Sequence, residues 1–278
     1  MSLSLTVAIP VKNEEKNLPM CLEALKGVDT IILIDSGSTD GTLKIAKEAG
    51  LKVFQFEWDG QYPKKRNWYL INHPPKTEWV MFLDADEVVS PEFLRELETA
   101  LADKETEGYW LKYRNYFLGK ELRHGDIQRK LALFRVGRGL YERIDEQGWS
   151  KLDMEVHEHP VLGGKIGEIK ARIDHRDFRG LGRFLDRHVN YAQWEAGRVE
   201  LLGAKGSKGW DGLTSRQMTK YSHISKWWFA WAYFINVYVM KRGFLDGATG
   251  FHYAFYKAWY FHSIRLMIKQ SSQEKSGT

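Results

Sequence analysis

The chain has 278 residues, is 43% hydrophobic and 28% charged, and carries a net charge of +5. That is enough for one large α/β domain with an appendage, while a single cysteine, Cys21, excludes an intrachain disulfide and fits a reducing compartment. No apolar run reaches the ~18 residues of a membrane-spanning helix, and the N-terminus runs straight into a strand without the basic start of a signal peptide.

In chain order, Leu5 to Pro10 reads as a first strand and Leu18 to Leu25 as a helix, with Cys21 in its apolar pattern. Thr30 to Ile34 is a second strand ending at Asp35, and Ser36 to Gly41 is a turn. Thr42 to Ala49 is a helix stopped by Gly50, and Leu51 to Phe56 a third strand. Tyr62 to Asn72 reads as a helix carrying Lys64, Lys65, Arg66 and Asn67, with Lys64 and Lys65 read as solvated. Trp79 to Leu83 is five apolar residues, hence a buried strand, and Ser90–Pro91–Glu92 starts a helix running to about Ala102. Strands alternating with helices predict a mainly parallel sheet covered on both faces.

After Gly108 the pattern changes. Gly108 to Leu118, Lys130 to Arg135 and Ile166 to Ile173 alternate like strands, and Leu181 to Leu202 has helical spacing. Lys205 to Gly212 reads as a loop before an aromatic tail. The expected division is a main domain over 1–203, with one half over 1–107 and a second over 108–203. A helical segment follows over 204–278.

The buried strand at Trp79 ends in Asp84–Ala85–Asp86–Glu87. Open α/β folds bind ligands at such strand ends. Asp84 and Asp86 share a face on an extended segment, and two hard oxygen ligands beside phosphates suit Mg²⁺ or Mn²⁺. Asp35 directly follows another buried strand, where its carboxylate can accept from a base N–H or a ribose hydroxyl. The turn after it leads into a helix N-terminus suited to phosphate. No G-x-G-x-x-G follows the first strand.

The ordered set AIPVKNEE, IDSGSTDGT, KKRN and FLDADE resembles glycosyltransferase family 2 over about the first hundred residues. RHGDIQRKLALFR, VHEHP, IDHRD and GFLDG resemble a narrower group, the lipopolysaccharide-core glucosyltransferases and their bacterial relatives. The resemblance implies a GT-A fold and inverting transfer from a nucleotide sugar, UDP-linked by expectation. It implies that Pro10 and Glu14 border the base and ribose, that Asp35 binds the base and that Arg66 approaches the nucleotide. Asp84 would face ribose and metal, and Asp86 would hold a Mg²⁺ or Mn²⁺ ion. His175 stands where such enzymes supply a histidine to metal or diphosphate. Arg129 matches the narrower group's arginine, a guanidinium able to fork onto diphosphate oxygens.

Transfer to a hydroxyl needs a general base. Glu158, in VHEHP, is the candidate, where the resembling motif more often has Glu–Asp than Glu–His; Asp126 is the runner-up. His157, His159 and Asp153 lie beside Glu158 without an assigned role.

From Lys220 to Thr278 there are eight Lys or Arg against two acids, so this stretch holds the positive charge and the rest is close to neutral. It also contains the apolar run Trp227 to Met240, too short to span a bilayer and dense in Trp and Tyr. That composition suits an anionic lipid headgroup region. The other reading is a helical hairpin packed on the catalytic domain or on a second subunit, giving a homo-oligomer. The expectation is a cytoplasmic, peripheral enzyme on the inner face of the membrane, acting on a lipid-anchored glycan. Two rivals remain: a polyprenyl-phosphate glycosyltransferase and a catalytically inactive sugar- or lipid-binding module. No nucleic-acid motif is present, and none is expected as partner.

Overall fold

The computed structural model describes residues 3–144, 146, 149–155, 158–176 and 180–276. Their contacts gather into two compact units. The first is Met1–Asn115, Ile127–Asp145 and Asp153–Asp177; the second is Tyr116–Asp126, Glu146–Leu152 and Phe178–Thr278.

The first unit is built on strands β1 (Leu5–Val11), β2 (Thr30–Asp35), β3 (Lys52–Gln55) and β4 (Trp79–Phe82), all parallel to one another. Helices α1 (Leu18–Ala24), α2 (Thr42–Glu48) and α3 (Lys65–Asn72) connect them. Beyond β4 come a short β5 (Glu87–Val88), α4 (Pro91–Leu101), β6 (Thr106–Phe117), β8 (Arg129–Arg135) and β9 (Lys165–His175), while β7 (Lys120–Leu122) falls in the second unit. The sheet order is β3-β2-β1-β4-β8-β6-β9-β5, with β7 paired to β6. β8 lies antiparallel to both β4 and β6, whereas β9 runs parallel to β6 and antiparallel to β5. The sheet is thus parallel in its first half and mixed in its second, a GT-A-type α/β arrangement.

Strands β1 and β4 and the end of β2 are buried on both faces, which explains their unbroken apolar runs. Leu5, Val7 and Ile9 join Met81 and Leu83 in one cluster, under Leu18, Cys21, Phe93 and Leu97 of the helices. The alternate residues Ala8, Ile34, Val80 and Phe82 face the other way and meet Tyr69 of α3. Cys21 is buried packing, as its place in the apolar pattern of α1 predicts. Helix α3 starts at Lys65, not at Tyr62, because Lys64 is still extended. Ser90 caps α4 by accepting from the Phe93 amide, the role its Ser–Pro–Glu context assigns.

The second unit holds α5 (Gly180–Ala204), α6 (Ser215–His223), α7 (Phe229–Ile235) and α8 (Gly247–Ser276). Between α7 and α8 run a π-helical turn, Asn236–Met240, and a 3-10 turn, Gly243–Asp246. Helix α5 joins this unit, which differs from the expected division at residue 203. The reason is its apolar face: Ala192 and Leu202 share a cluster with Tyr221, Ile224, Ala230, Phe261 and Ile264. The segment 205–212 contains a 3-10 turn, Gly206–Trp210, and α6 opens with a reciprocal capping box between Thr214 and Gln217.

Two of the narrower group's motifs close on each other here. Asp246 of GFLDG accepts from the His124 amide at 2.9 Å and meets its Nδ1 at 2.9 Å. Asp126 accepts from the Tyr233 hydroxyl at 2.6 Å and from Lys241 at 3.0 Å. The turn is tight: a Cβ on Gly250 would lie 2.0 Å from the Gly243 carbonyl oxygen, and one on Gly243 2.7 Å from that of Val237. Only glycine allows that approach.

Candidate active site

The carboxyl ends of β1, β2 and β4 lie side by side because their registers align Leu5 with Trp79 and Val11 with Asp35. Pro10 is buried within β1. The loop after it is tied to the loop after β2: the Glu14 amide donates to Thr42 Oγ1 at 2.8 Å, and Asn13 and Ser38 are joined by an amide-to-hydroxyl bond of 2.9 Å. The Glu14 carboxylate accepts from Asn17 at 2.7 Å. Asp35 is fully buried and accepts from the Gly37 and Ser38 amides at 3.0 and 3.1 Å, as well as from the Ser38 hydroxyl. It therefore shapes its own turn, with Gly37 at φ 72° as the residue that permits it.

At the end of β4 the acids are gathered round a lysine. Lys130 Nζ lies 2.5 Å from Asp84 Oδ2 and 2.5 Å from Glu87 Oε1, and Arg66 lies 3.1 Å from Asp84 Oδ1. Burial alone would raise the Asp84 carboxyl, but Lys130 and then Arg66 outweigh it and hold it well below the usual range. Burial dominates at Glu87, whose carboxyl is pushed up to about 7 despite Lys130. Glu87 also accepts from the Asp84 amide at 3.1 Å and from the Tyr113 hydroxyl at 3.4 Å. Lys130 itself stays protonated, because the two carboxylates overcome its burial.

Asp86 faces His175, with Nε2 3.5 Å from Oδ1. The pairing of β9 against β5 brings His175 there, opposite Glu87, and the Arg176 amide fastens the strand end to the Asp86 carbonyl at 2.9 Å. Burial lowers the imidazole's pKa, but its bond to Asp86 and that residue's charge raise it overall. Among the described residues no group of three or more His, Cys, Asp or Glu side chains could by itself hold a metal ion. The donor set nonetheless fits a hard or borderline divalent cation: one carboxylate and one imidazole.

Around α3 the buried charges interlock. Glu155 accepts from the Arg66 and Asn67 amides, both at 3.0 Å, so a distant carboxylate caps the helix N-terminus. Arg66 also donates to the Glu155 carbonyl and stacks over Tyr141 at 5.4 Å. Asn67 pairs with both backbone groups of Tyr141, at 2.8 and 3.0 Å. The expectation that Lys64 and Lys65 are solvated is corrected. Both are buried, Lys64 against Glu158 at 3.1 Å and Lys65 against Asp153 at 3.2 Å. Their helix start lies under the segment carrying those acids, and each ammonium needs a carboxylate there.

Glu158 is buried and ion-paired with Lys64. Arg129 is exposed and stacks over Trp110 at 4.7 Å. His159 makes an edge contact with Trp110, and His157 lies outside the described residues. Asp126, the runner-up base, belongs to the second unit. Burial raises its carboxyl, but the Tyr233 hydroxyl and Lys241 bring it below the usual range.

Sequence reasoning missed Lys130, Glu87, Glu155 and Tyr113. Lys130 had a signal: in β8 it shares strand parity with Ala132 and Phe134, both buried. Glu155 had none, because its role depends on a helix start almost ninety residues earlier.

Three comparisons place these motifs among known proteins. The chain is 32% identical over 178 residues to the lipopolysaccharide core biosynthesis glycosyltransferase LpsC of Rhizobium meliloti, covering 61% of each chain, so it spans less than two thirds of that relative's length. It is 26% identical over 250 residues to an uncharacterized glycosyltransferase of Rickettsia felis, covering 87% of this chain and 81% of that one. Among solved structures it is similar to glucosyl-3-phosphoglycerate synthase of Mycobacterium tuberculosis, crystallised with Mn²⁺ and UDP-glucose. The identity there is 25%, over 40% of this chain and 43% of that one, with a TM-score of 0.33. The model of "Glycosyl transferase family 2" matches residues 6–157, more than half of the chain, and the protein belongs to that family of glycosyltransferases.

Proposed function

We propose that the chain moves a hexose, UDP-linked in this reading, from its nucleotide to a hydroxyl of a lipid-anchored glycan. The observation that carries it is the strand end where Asp86 and His175 lie 3.5 Å apart, beside the Arg66 and Lys130 cations. The likeness to a lipopolysaccharide-core enzyme supports the acceptor class. Asp35, with Pro10 and Glu14, receives the base and ribose, and Asp84 orients the ribose. Arg66 and Arg129 approach the diphosphate, and Asp86 and His175 hold the divalent cation. That cation, when bound, supplies positive charge for the departing diphosphate.

In this reading Glu158 takes the proton of the acceptor hydroxyl as its oxygen bonds the anomeric carbon. The bond to the diphosphate breaks on the opposite face, and the diphosphate leaves with the electron pair. Lys64, 3.1 Å away, holds the Glu158 carboxylate in place. Arg66 is fixed by Glu155 and Tyr141 before substrate arrives, so it stabilises charge without reorganising.

The same Lys64–Glu158 pair supports a second reading. A carboxylate occupied by an ammonium at 3.1 Å is less open to an acceptor hydroxyl, and a polyprenyl-phosphate acceptor needs no base. A screen of nucleotide sugars with and without Mn²⁺, read by thermal shift and by nucleotide release, tests the main reading. Metal-dependent stabilisation by one UDP-sugar is expected. Failure of every nucleotide sugar to bind overturns both readings.

A further inference from the structure

Helix α7 and the turn after it carry two apolar stripes at helical spacing. The inner stripe, Ala230, Tyr233 and Val237, is packed: Tyr233 meets Phe261 at 4.5 Å, and Val237 is buried. The outer stripe, Trp231, Ile235 and Val239, is open to solvent. It continues at both ends, with Trp227 and Trp231 69% and 60% exposed and Met240 74% exposed. Ring contacts carry the surface across the hairpin: Tyr238 meets Phe244 and Phe251, and Phe251 stacks on Phe255 at 6.4 Å. Phe244, Leu245, Phe251 and Phe255 are themselves exposed. The second unit has buried one face of this hairpin and left a continuous aromatic face in water.

The charge on that face has one sign. Between Lys226 and Lys257 the only acid is Asp246, which is buried against His124. Lys226 and Arg242 are exposed beside Trp227 and Met240. A second copy set symmetrically on this face would bring like charges together with no carboxylate to meet them. No helix among the described residues is long and apolar enough to cross a membrane. Exposed Trp and Phe with flanking Lys and Arg match the headgroup layer of a bilayer, where the rings enter shallowly and the cations meet phosphates.

We propose that the outer face of α7, the turns after it and the start of α8 dock on an anionic lipid bilayer, lying on the surface without crossing it. The docking is a property of the second unit and does not depend on the transferase reading.

The test uses the full chain and vesicles, with donor turnover measured separately. Wild type is expected to sediment with phosphatidylcholine–phosphatidylglycerol vesicles at low salt and to be only partly released by high salt, because screening weakens the charges and spares the rings. The variant W227S/W231S/M240S changes three exposed side chains, so it should melt like wild type and lose vesicle binding. A second variant, K226Q/R242N, should bind anionic vesicles more weakly by about five-fold per charge removed. It should match wild type on phosphatidylcholine alone. Both variants should retain donor turnover. The proposal is overturned if wild type ignores anionic vesicles at low salt, or if the folded triple variant still binds them fully. It is also overturned if wild type is a dimer, the triple variant a monomer and vesicle binding unchanged, which would make the face an interface between copies. Unfolding of the triple variant would make those residues core and overturn it as well.

Discussion

The two units treat water in opposite ways. The first takes charge inside: Lys64, Lys65, Arg66, Asp86, Glu87, Glu155 and Glu158 are all buried. The second leaves apolar rings outside, with Trp227, Trp231, Phe244 and Phe251 in solvent. Buried ion pairs are poor sources of stability, since desolvation consumes most of their attraction. Their concentration at the end of β4 and the start of α3 is where the proposed reaction is placed. Exposed aromatics are equally unfavourable unless something covers them. Each unit carries its cost where a partner is expected: a nucleotide diphosphate in one, a lipid surface in the other. The second unit also has half-buried charges, at Asp126 and Asp246, but these brace its hairpin and serve no substrate in this reading.

Substitutions can break or sharpen that contrast. The largest effect is expected from Asp86→Asn, which removes a charged donor beside His175. Transfer should fall by more than about 100-fold, since even outer partners of a metal are worth about 10–100-fold. Nucleotide release would be measured across a Mn²⁺ series, and wild-type turnover without metal would break the assignment.

Next is Glu158→Gln. Transfer to a hydroxyl acceptor should drop by about 10²- to 10⁴-fold with donor affinity unchanged. Full activity would favour the phosphate acceptor. If Asp126→Asn shows the selective loss instead, the bases are exchanged and the contrast between working and bracing charges fails.

Glu155→Ala separates structure from chemistry within the first unit. It leaves the Arg66 and Asn67 amides without their acceptor, while the Arg66 guanidinium keeps Asp84 and the residue-155 carbonyl. Two buried amides left unsatisfied cost about 1–3 kcal/mol each, so the melting temperature should fall by roughly 10 °C. An unchanged melting curve would show that the helix start holds itself.

The smallest effect belongs to Asp126→Asn in the second unit, about 1–2 kcal/mol at neutral pH for weakened charged hydrogen bonds to Tyr233 and Lys241. The Asp126 pKa is depressed in the fold. Its contribution is therefore present above the unfolded value near ~3.9 and is lost as pH falls through the lower folded value. Urea midpoints at neutral and acidic pH should converge between wild type and variant as pH drops. A gap that stays constant with pH would show that the carboxylate's charge is not what matters.

Much of the first unit was legible because its elements are local. Apolar runs ending in Asp35 and Asp84 mark β2 and β4, and the parallel order follows from strands alternating with helices. The mixed second half of the sheet was not legible, because an alternating segment such as β8 carries no sign of whether its neighbour runs with it or against it. The cluster at Asp84 was half legible. The acids stand together in sequence, whereas Lys130 reaches them from a strand more than forty residues later.

Sequence alone determined the family, the acidic strand end and the concentration of positive charge and aromatic rings after Lys220, since each lies within a few consecutive residues or in composition. Tertiary structure decided which charges are paired and which rings are wet. It buried Lys64 and Lys65, gave Glu158 a lysine, capped α3 with Glu155 and turned Trp231 outward while Tyr233 turned in. The reason is physical: a side chain's solvation depends on what is packed against it, and those neighbours come from distant parts of the chain.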